Sequence, residues 1–335
     1  MNIMYLCNDA YVYIAAVSII SLLENNKDVD NIHIFIVGEE ISRGNKDKLY
    51  QTVSSYNREL SILDKPDIKK LVGCEVEMHW WIENVFSRVF LGEVFKDYPD
   101  VNKLIYLDCD TLVVGNLSDL WEVNLEDHLA AGVLEAMGNL HKKAIGLQNQ
   151  DPYFNAGLIL IDVFKWRNGN YDKKARDFIR KVNGKMEYAD ESVLNGIAAT
   201  DMKIISPKYN LTSLSIYFSP NEVQVYRKPC FHYSKEEIKE AMEDVRVVHF
   251  TSSFVDVRPW IEGSLHPYAS RWKMIKNSSM WKNQPSAKDN QNIKKRIARR
   301  LAMILPIKIR LHVTGFLHAY IKPLKYVRKY NGLYG

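Results

Sequence analysis

Two carboxylates, Asp108 and Asp110, stand one residue apart between the apolar runs 105–107 and 112–114. On an extended chain, residues i and i+2 point to the same side. Like charges so placed disfavour each other's ionisation unless a cation lies beside them. A hard divalent cation such as Mn²⁺ or Mg²⁺, which takes oxygen ligands, removes that penalty. The stretch therefore reads in two ways: a metal-coordinating Asp-x-Asp motif at a strand end, or a solvated turn after a buried strand.

The sequence around it alternates between two periods. Residues 1–6 predict a strand, and 10–23 a helix with Val17, Ile20 and Leu23 on one face. A strand over 31–37, a helix over 46–56 and a strand over 60–63 follow. Such alternation gives an α/β fold, a mostly parallel sheet flanked by helices on both faces. Ligands bind such sheets outside the carboxyl ends of the strands. Asn8 and Asp9 end one predicted strand and Asp108 another, so both can line one crevice. Further strands are expected at 129–134, ending at Glu135, at 158–163 and at 245–250, with helices over 176–182 and 191–198. Residues 139–152 read as a loop.

At 335 residues, with 47% apolar and 25% charged side chains, the chain can bury one full core. It opens without a basic leader, and no stretch approaches about 18 apolar residues, so neither a signal peptide nor a spanning helix is expected. Its four cysteines, Cys7, Cys74, Cys109 and Cys230, lack metal-ligand spacing, which fits reduced thiols in the cytoplasm. Charge is uneven: residues 288–335 carry twelve Lys/Arg against Asp289 alone, or +11 of a formal total of +5, which leaves −6 elsewhere. The expected division is a body over 1–276, an Asn/Ser/Lys-rich linker over 277–291 and a basic helical appendage over 292–335. In that appendage Ile293, Ile297, Leu301 and Ile304 fall on one helical stripe flanked by basic residues. A basic amphipathic helix lies on anionic lipid, and no base-reading motif accompanies it, so nucleic acid is not expected as a partner. A solvated or partner-packed C-terminus is the alternative.

Ser87-Arg88-Val89-Phe90-Leu91 ahead of the acidic strand, Gly115–Trp121 after it, Asn155-Ala156-Gly157 and the late His249 complete an ordered set. Over residues 1–270 the chain resembles the retaining glycosyltransferases of family 8. Their bacterial members include lipopolysaccharide and capsule galactosyl- and glucosyltransferases. The resemblance implies a single GT-A-like nucleotide-binding domain, a UDP-sugar donor, a glycan or lipid-linked saccharide acceptor, and Mn²⁺ or Mg²⁺ as cofactor. It places the metal on Asp108, Asp110 and His249. It puts Asn8, Asp9 and Tyr11 against the uridine, although Asn8 stands where Asp is frequent and Ala10 where Asn is frequent. A helix cap at Asn8 or Asp9 is compatible as well.

The same resemblance sets Arg88, Cys109 through its backbone, Glu135, Asn155, Ala156 and Gly157 along the donor. Asp190 and Glu191 come beside the anomeric carbon, with Glu191 in place of a usual Gln; a capping role for Asp190 is the structural alternative. After His249 the family pattern is His-aromatic-x-Gly-x-x-Lys-Pro-Trp. Here three extra residues precede Pro259-Trp260, Ser252 stands for Gly and Arg258 for Lys. Arg keeps a bidentate, permanently charged grip on a diphosphate. The insertion alters the loop's path over the phosphates.

Asp-x-Asp-Thr after an apolar strand also resembles the haloacid-dehalogenase phosphatases, with Asp108 as nucleophile, although three predicted strands precede it here. A non-enzymatic, membrane-tethered interaction protein is a third reading. The leading expectation is a hexosyltransferase, cytoplasmic and peripheral at the inner face of the plasma membrane.

Overall fold

Near-continuous apolar strands, whose successive side chains point to opposite sides, give the central sheet two buried faces. The computed structural model describes residues 1–77, 83–251, 255–289 and 306–330. Strand β1 (Asn2–Asn8) lies between β2 (His33–Glu39) and β4 (Lys103–Leu107), parallel to both; β3 (Glu59–Asp64) is parallel to β2 on its outer side. Beyond β4 comes β7 (Phe154–Asp162), antiparallel to β4 and to β6 (Ala130–Leu134), and then β8 (Met202–Ile204), parallel to β6. The order is β3-β2-β1-β4-β7-β6-β8, with β7 alone reversed among the seven. Met4, Phe35 and Tyr106 enter one apolar cluster, while Ile3, Ile34, Ile36 and Ile105 enter the other. Burying each such side chain stabilises by about 1.5–3 kcal/mol, which locks the register. The mostly parallel α/β sheet expected from the sequence is thus present.

A second sheet decides where the chemistry sits. It joins β5 (Thr111–Val113), β10 (Val247–His249) and β9 (Leu211–Thr212) in the order β5-β10-β9. β10 runs antiparallel to β5 with His249 opposite Thr111. The chain leaves the large sheet at Asp108 and enters the small one at Thr111, so the acidic pair spans the junction.

Several elements differ from expectation for local reasons. Asn139–Lys143 is helical inside the expected loop. The first helix runs Val12–Asn25 after a 3₁₀ turn at Asp9–Tyr11, and the Tyr11 N–H donates to Asn8 Oδ1 at 3.1 Å. The helix expected from Glu191 begins at Ala189, and its N-cap Tyr188 makes no side-chain cap bond, so Asp190 lies inside the first turn. Of the expected linker, residues 277–289 lie on the body. Trp281 is buried and its indole donates to Asn45 Oδ1 at 2.9 Å, while the Ala287 N–H donates to Trp260 O at 2.8 Å. One aromatic anchor thus outweighs a polar composition.

The stripe at 293–304 lies outside the described residues. From Ile307 the appendage is helical through Phe316, passes through a π turn at Leu317–Ile321 and continues as Lys322–Tyr330. Leu311, Gly315 and Ala319, at spacing i, i+4, i+8, are its buried face. A Cβ at Gly315 would come within 2.8 Å of Val225 O and 2.9 Å of Tyr226 O. Glycine there lets the appendage meet the helix Pro220–Arg227 backbone to backbone.

Candidate active site

Backbone bonds fix the acidic pair before any side chain contributes. The Asp108 N–H donates to Gly157 O of β7 at 2.8 Å, and the Phe250 N–H, just past β10, donates to Asp110 O at 2.9 Å. The Thr111 hydroxyl donates to Asp108 O at 2.8 Å. Both carboxylates and His249 then converge. His249 Nε2 lies 3.2 Å from Asp110 Oδ1 and 3.7 Å from Asp108 Oδ2. One ligand atom from each of the three residues falls within 4.8 Å of the others. Close approach of β7 requires Gly157, where a Cβ would sit 2.1 Å from His249 Cε1.

The far side of the imidazole sets its tautomer. His249 Nδ1 faces Asn155 Oδ1 at 3.2 Å and Asn210 Oδ1 at 3.1 Å. Asn155 Oδ1 also accepts from the Gly157 N–H at 2.9 Å and from Asn210 Nδ2 at 2.8 Å, which orients both amides. Two acceptors at Nδ1 place the proton there and aim the Nε2 lone pair at the carboxylates. A lone pair facing two anions fits a cation between them. The donor set, two hard oxygens and one imidazole nitrogen, suits Mn²⁺ or Mg²⁺. Burial lowers the tendency of His249 to take a second proton, but Asp110 and Asp108 raise it on balance. Burial likewise raises Asp110, while Arg258 and His249 hold it at about 2.

Arg88 joins this cluster to a second one. It is 6% exposed on a 3₁₀ turn, Glu83–Val89. Its Nη1 donates to Ala156 O at 2.6 Å and its Nη2 to Asp108 Oδ1 at 3.0 Å, while Nε lies 2.6 Å from Asp190 Oδ2. Its guanidinium stacks 4.2 Å over the Tyr106 ring, and the Tyr106 hydroxyl donates to Asp108 Oδ1. Burial opposes the charge of Arg88, but Asp108 and Asp190 outweigh it and keep the group protonated. Asp190 is therefore an ion-pair partner rather than a helix cap.

Beyond Arg88 lies a set of carboxyl groups. Burial pushes Asp190 up to about 6 despite Arg88. Burial, then the neighbouring Glu135, push Glu191 up to about 8. Glu191 accepts from the Ala156 N–H at 3.1 Å and the Tyr153 hydroxyl at 3.2 Å, and Asn155 Nδ2 donates to Glu135 at 2.8 Å. Asn155 thus touches the histidine on one side and this acidic set on the other.

A cleft opens in front of the acidic pair, lined by charged and apolar side chains together, as small-molecule sites are. Asn8, Tyr11, Arg88, Asp108, Cys109, Asp110 and Arg258 line it, as do Leu6, Cys7, Val85 and Tyr106. Arg258 Nη2 lies 3.0 Å from Asp110 Oδ2 and its Nε donates to Phe250 O at 2.9 Å. Asp9 is not in this wall: Oδ1 accepts from the Ser42 N–H at 2.8 Å and Asn45 Nδ2 at 2.7 Å, bonds that hold the carboxyl below its usual range. The Cys109 thiol donates to Leu6 O at 2.9 Å and is raised well above its ordinary value by the neighbouring Cys7 and by burial, so it is not a poised nucleophile. Ser252 lies outside the described residues. Sequence reasoning missed Tyr106 and Asn210. Tyr106 was within reach, being two residues before Asp108 and hence on its face. Asn210 had no local signal.

Residues 2–263 match the model of glycosyl transferase family 8. A lipopolysaccharide 1,2-glucosyltransferase of Escherichia coli is 26% identical over 294 residues, covering 86% of this chain and 81% of that one. A relative from Haemophilus influenzae is 28% identical over 223 residues, and that match spans 63% of each chain. Among solved structures, galactosyltransferase LgtC in complex with donor and acceptor sugar analogues shares the fold with a TM-score of 0.70. It is 21% identical, over 84% of this chain and 96% of that one. The GT-A-like architecture is thereby established, and the phosphatase and scaffold readings are set aside. Matched along its length from Asn2 to Gly263, this chain belongs to glycosyl transferase family 8 and is a glycosyltransferase.

Proposed function

We propose that the chain moves a hexose, galactose or glucose, from a UDP-sugar to a glycan or lipid-linked saccharide acceptor in surface polysaccharide or glycoconjugate synthesis, with retention at the anomeric carbon. The observation that carries this reading is Arg88, which ties the acidic pair suited to a cation to Asp190, the carboxylate suited to a sugar cation.

The leaving group is a nucleoside diphosphate, so negative charge grows on it as the glycosidic bond breaks. A divalent cation held by Asp108, Asp110 and His249, Mn²⁺ or Mg²⁺, would supply Lewis-acid neutralisation of that charge. Arg258, on the same cleft, offers a planar fork of donors to the diphosphate. Arg88 adds a fixed positive charge whose orientation is set before substrate arrives. Asn8 and Tyr11 serve the uridine end of the cleft. Asp190 answers the positive charge that develops at the anomeric carbon. Glu191, neutral below about pH 8, presents a carboxyl group where the family usually has an amide. The backbone of Ala156 and Gly157 and the side chains of Asn155 and Glu135 complete the sugar end.

The same reading places the chain at the cytoplasmic face of the plasma membrane through its tail. Ile309, Val313, Phe316 and Tyr320 are exposed at helical spacing, opposite the docked face. No helix among the described residues is long and apolar enough to cross a membrane. Anionic lipid attracts a surface-bound basic residue by about 1 kcal/mol.

Release of UDP from a small panel of UDP-sugars, with and without Mn²⁺, tests the donor reading. One UDP-hexose should be hydrolysed slowly and only with metal. Asp110→Ala should lower that rate by about a hundredfold or more; full activity in this variant, or in excess chelator, contradicts the reading. A stability measurement addresses Glu191. Its raised pKa means the folded chain holds this proton more tightly than the unfolded chain. That contribution is complete below about pH 4.5 and is lost as the pH climbs through about 8. The melting temperature in chelator should therefore fall more steeply over that window than it does for Glu191→Gln; parallel profiles would show that Glu191 is ionised. For the membrane, the protein should sediment with phosphatidylserine-containing vesicles at low salt and leave them at high salt. No binding at low salt would end that assignment.

A further inference from the structure

The C-terminal helix also reaches inward, toward the segment that carries Asp190 and Glu191. Lys322 Nζ lies 3.1 Å from Glu187 Oε1, donates to the Tyr188 hydroxyl at 3.1 Å and sits 4.3 Å over the Tyr188 ring. One turn earlier, His318 Nε2 is 3.2 Å from the Tyr188 hydroxyl and accepts from Arg227 Nη1. Residues 318 and 322, spaced i, i+4, thus grip residues 187 and 188 together. Tyr326 from the next turn helps close a small crevice that Glu187, Tyr188 and Ser192 also line.

The grip follows from the helix's own irregularity. Pro323 has no N–H to give, and the Lys322 N–H bonds to Leu317 O in the π turn. The His318 carbonyl instead accepts from His141 Nε2 at 3.0 Å. His141 Nδ1 lies 2.7 Å from Glu187 Oε2. Glu187, only 4% exposed, is therefore held from the appendage by Lys322 and from the body by His141. A π turn within an α-helix is a costly feature that recurs at functional sites, and this one aims its freed carbonyl at the body.

What the grip holds is a strained turn. Ala189, between Tyr188 and Asp190, has φ +42°, in the left-handed region that a residue with a Cβ avoids. Such backbone persists only where its surroundings over-determine it. On one side, Tyr188 and Glu187 are fixed by the appendage. On the other, Asp190 is fixed by Arg88, and Glu191 by the Ala156 N–H. The Tyr188 N–H also donates to Ser192 Oγ at 3.0 Å.

We infer that the C-terminal helix is a positioning element of the transfer site: Lys322 and His318 clamp Glu187 and Tyr188 and so hold the Ala189 turn that aims Asp190 and Glu191. This rests on the donor reading above for its catalytic readout, but the clamp can be seen without it. Lys322 is 47% exposed, so its substitution leaves the core alone. Lys322→Met should raise amide exchange in residues 187–191. It should also lower kcat for UDP-sugar turnover by about tenfold, with donor KM changed less than about twofold. Lys322→Arg should restore most of both. Gly315→Val, whose Cβ would press on the Val225 carbonyl, should reproduce the Met phenotype by lifting the helix from a different point. Unchanged exchange at 187–191 in the Met variant, or unchanged kcat despite faster exchange, overturns the proposal. If the unsubstituted protein turns over no UDP-sugar, the donor reading fails instead, and the exchange data alone then decide the clamp.

Discussion

The buried guanidinium of Arg88 is the interaction on which the rest of the site depends. Removing an ion from water costs several kcal/mol unless partners compensate. Arg88 has Asp108, Asp190, the Ala156 carbonyl and the Tyr106 ring around it. Those partners come from three different parts of the chain, the end of β4, β7 and the helix after Tyr188, so folding must bring all three to Arg88 before the charge is satisfied. In return, one rigid planar group holds the carboxylates of Asp108 and Asp190 in a fixed arrangement. Loss of Arg88 would leave Asp108 and Asp190 facing each other without a counter-charge.

The scaffold serves that arrangement through two sheets that meet at the acidic pair. β7 lies alongside β4, and its Gly157 carbonyl receives the Asp108 N–H. The small sheet brings His249 beside Asp110 across β5 and β10. Gly157 is where these demands collide, since any side chain there would occupy the space of the imidazole. Asn155, two residues earlier, orients His249 with one end of its amide and donates to Glu135 with the other.

Much of this was legible in the sequence because it depends on local periods. The continuous apolar runs announced β1, β4 and β7, and strand ends marked Asn8, Asp108 and His249. What stayed hidden depends on contacts between distant residues. Asn210 sits between Tyr209 and Leu211 with nothing local to mark it, and only the fold places it on His249. The polar stretch after residue 276 looks like a linker until Trp281 finds Asn45. Asp9 looks like a ligand residue, but the N-terminal turn of the helix Arg43–Ser54 claims its carboxylate. The appendage declares its charge in the sequence and conceals its inner face, because Gly315, His318 and Lys322 acquire meaning only against the helix Pro220–Arg227 and the turn at Ala189.

The central claim is that the acidic pair and His249 form a cation site whose purpose is a nucleoside diphosphate. Titration of Mn²⁺ followed by electron paramagnetic resonance, in the presence and absence of UDP, tests this most directly. The account predicts a protein-bound Mn²⁺ signal that tightens when UDP is added. That signal should be lost when Asn210 is changed to Ala and His249 is no longer oriented, because removing such a supporting hydrogen bond weakens metal affinity by about 10- to 100-fold. UDP binding of equal strength with and without Mn²⁺, or Mn²⁺ binding indifferent to Asn210, would contradict it.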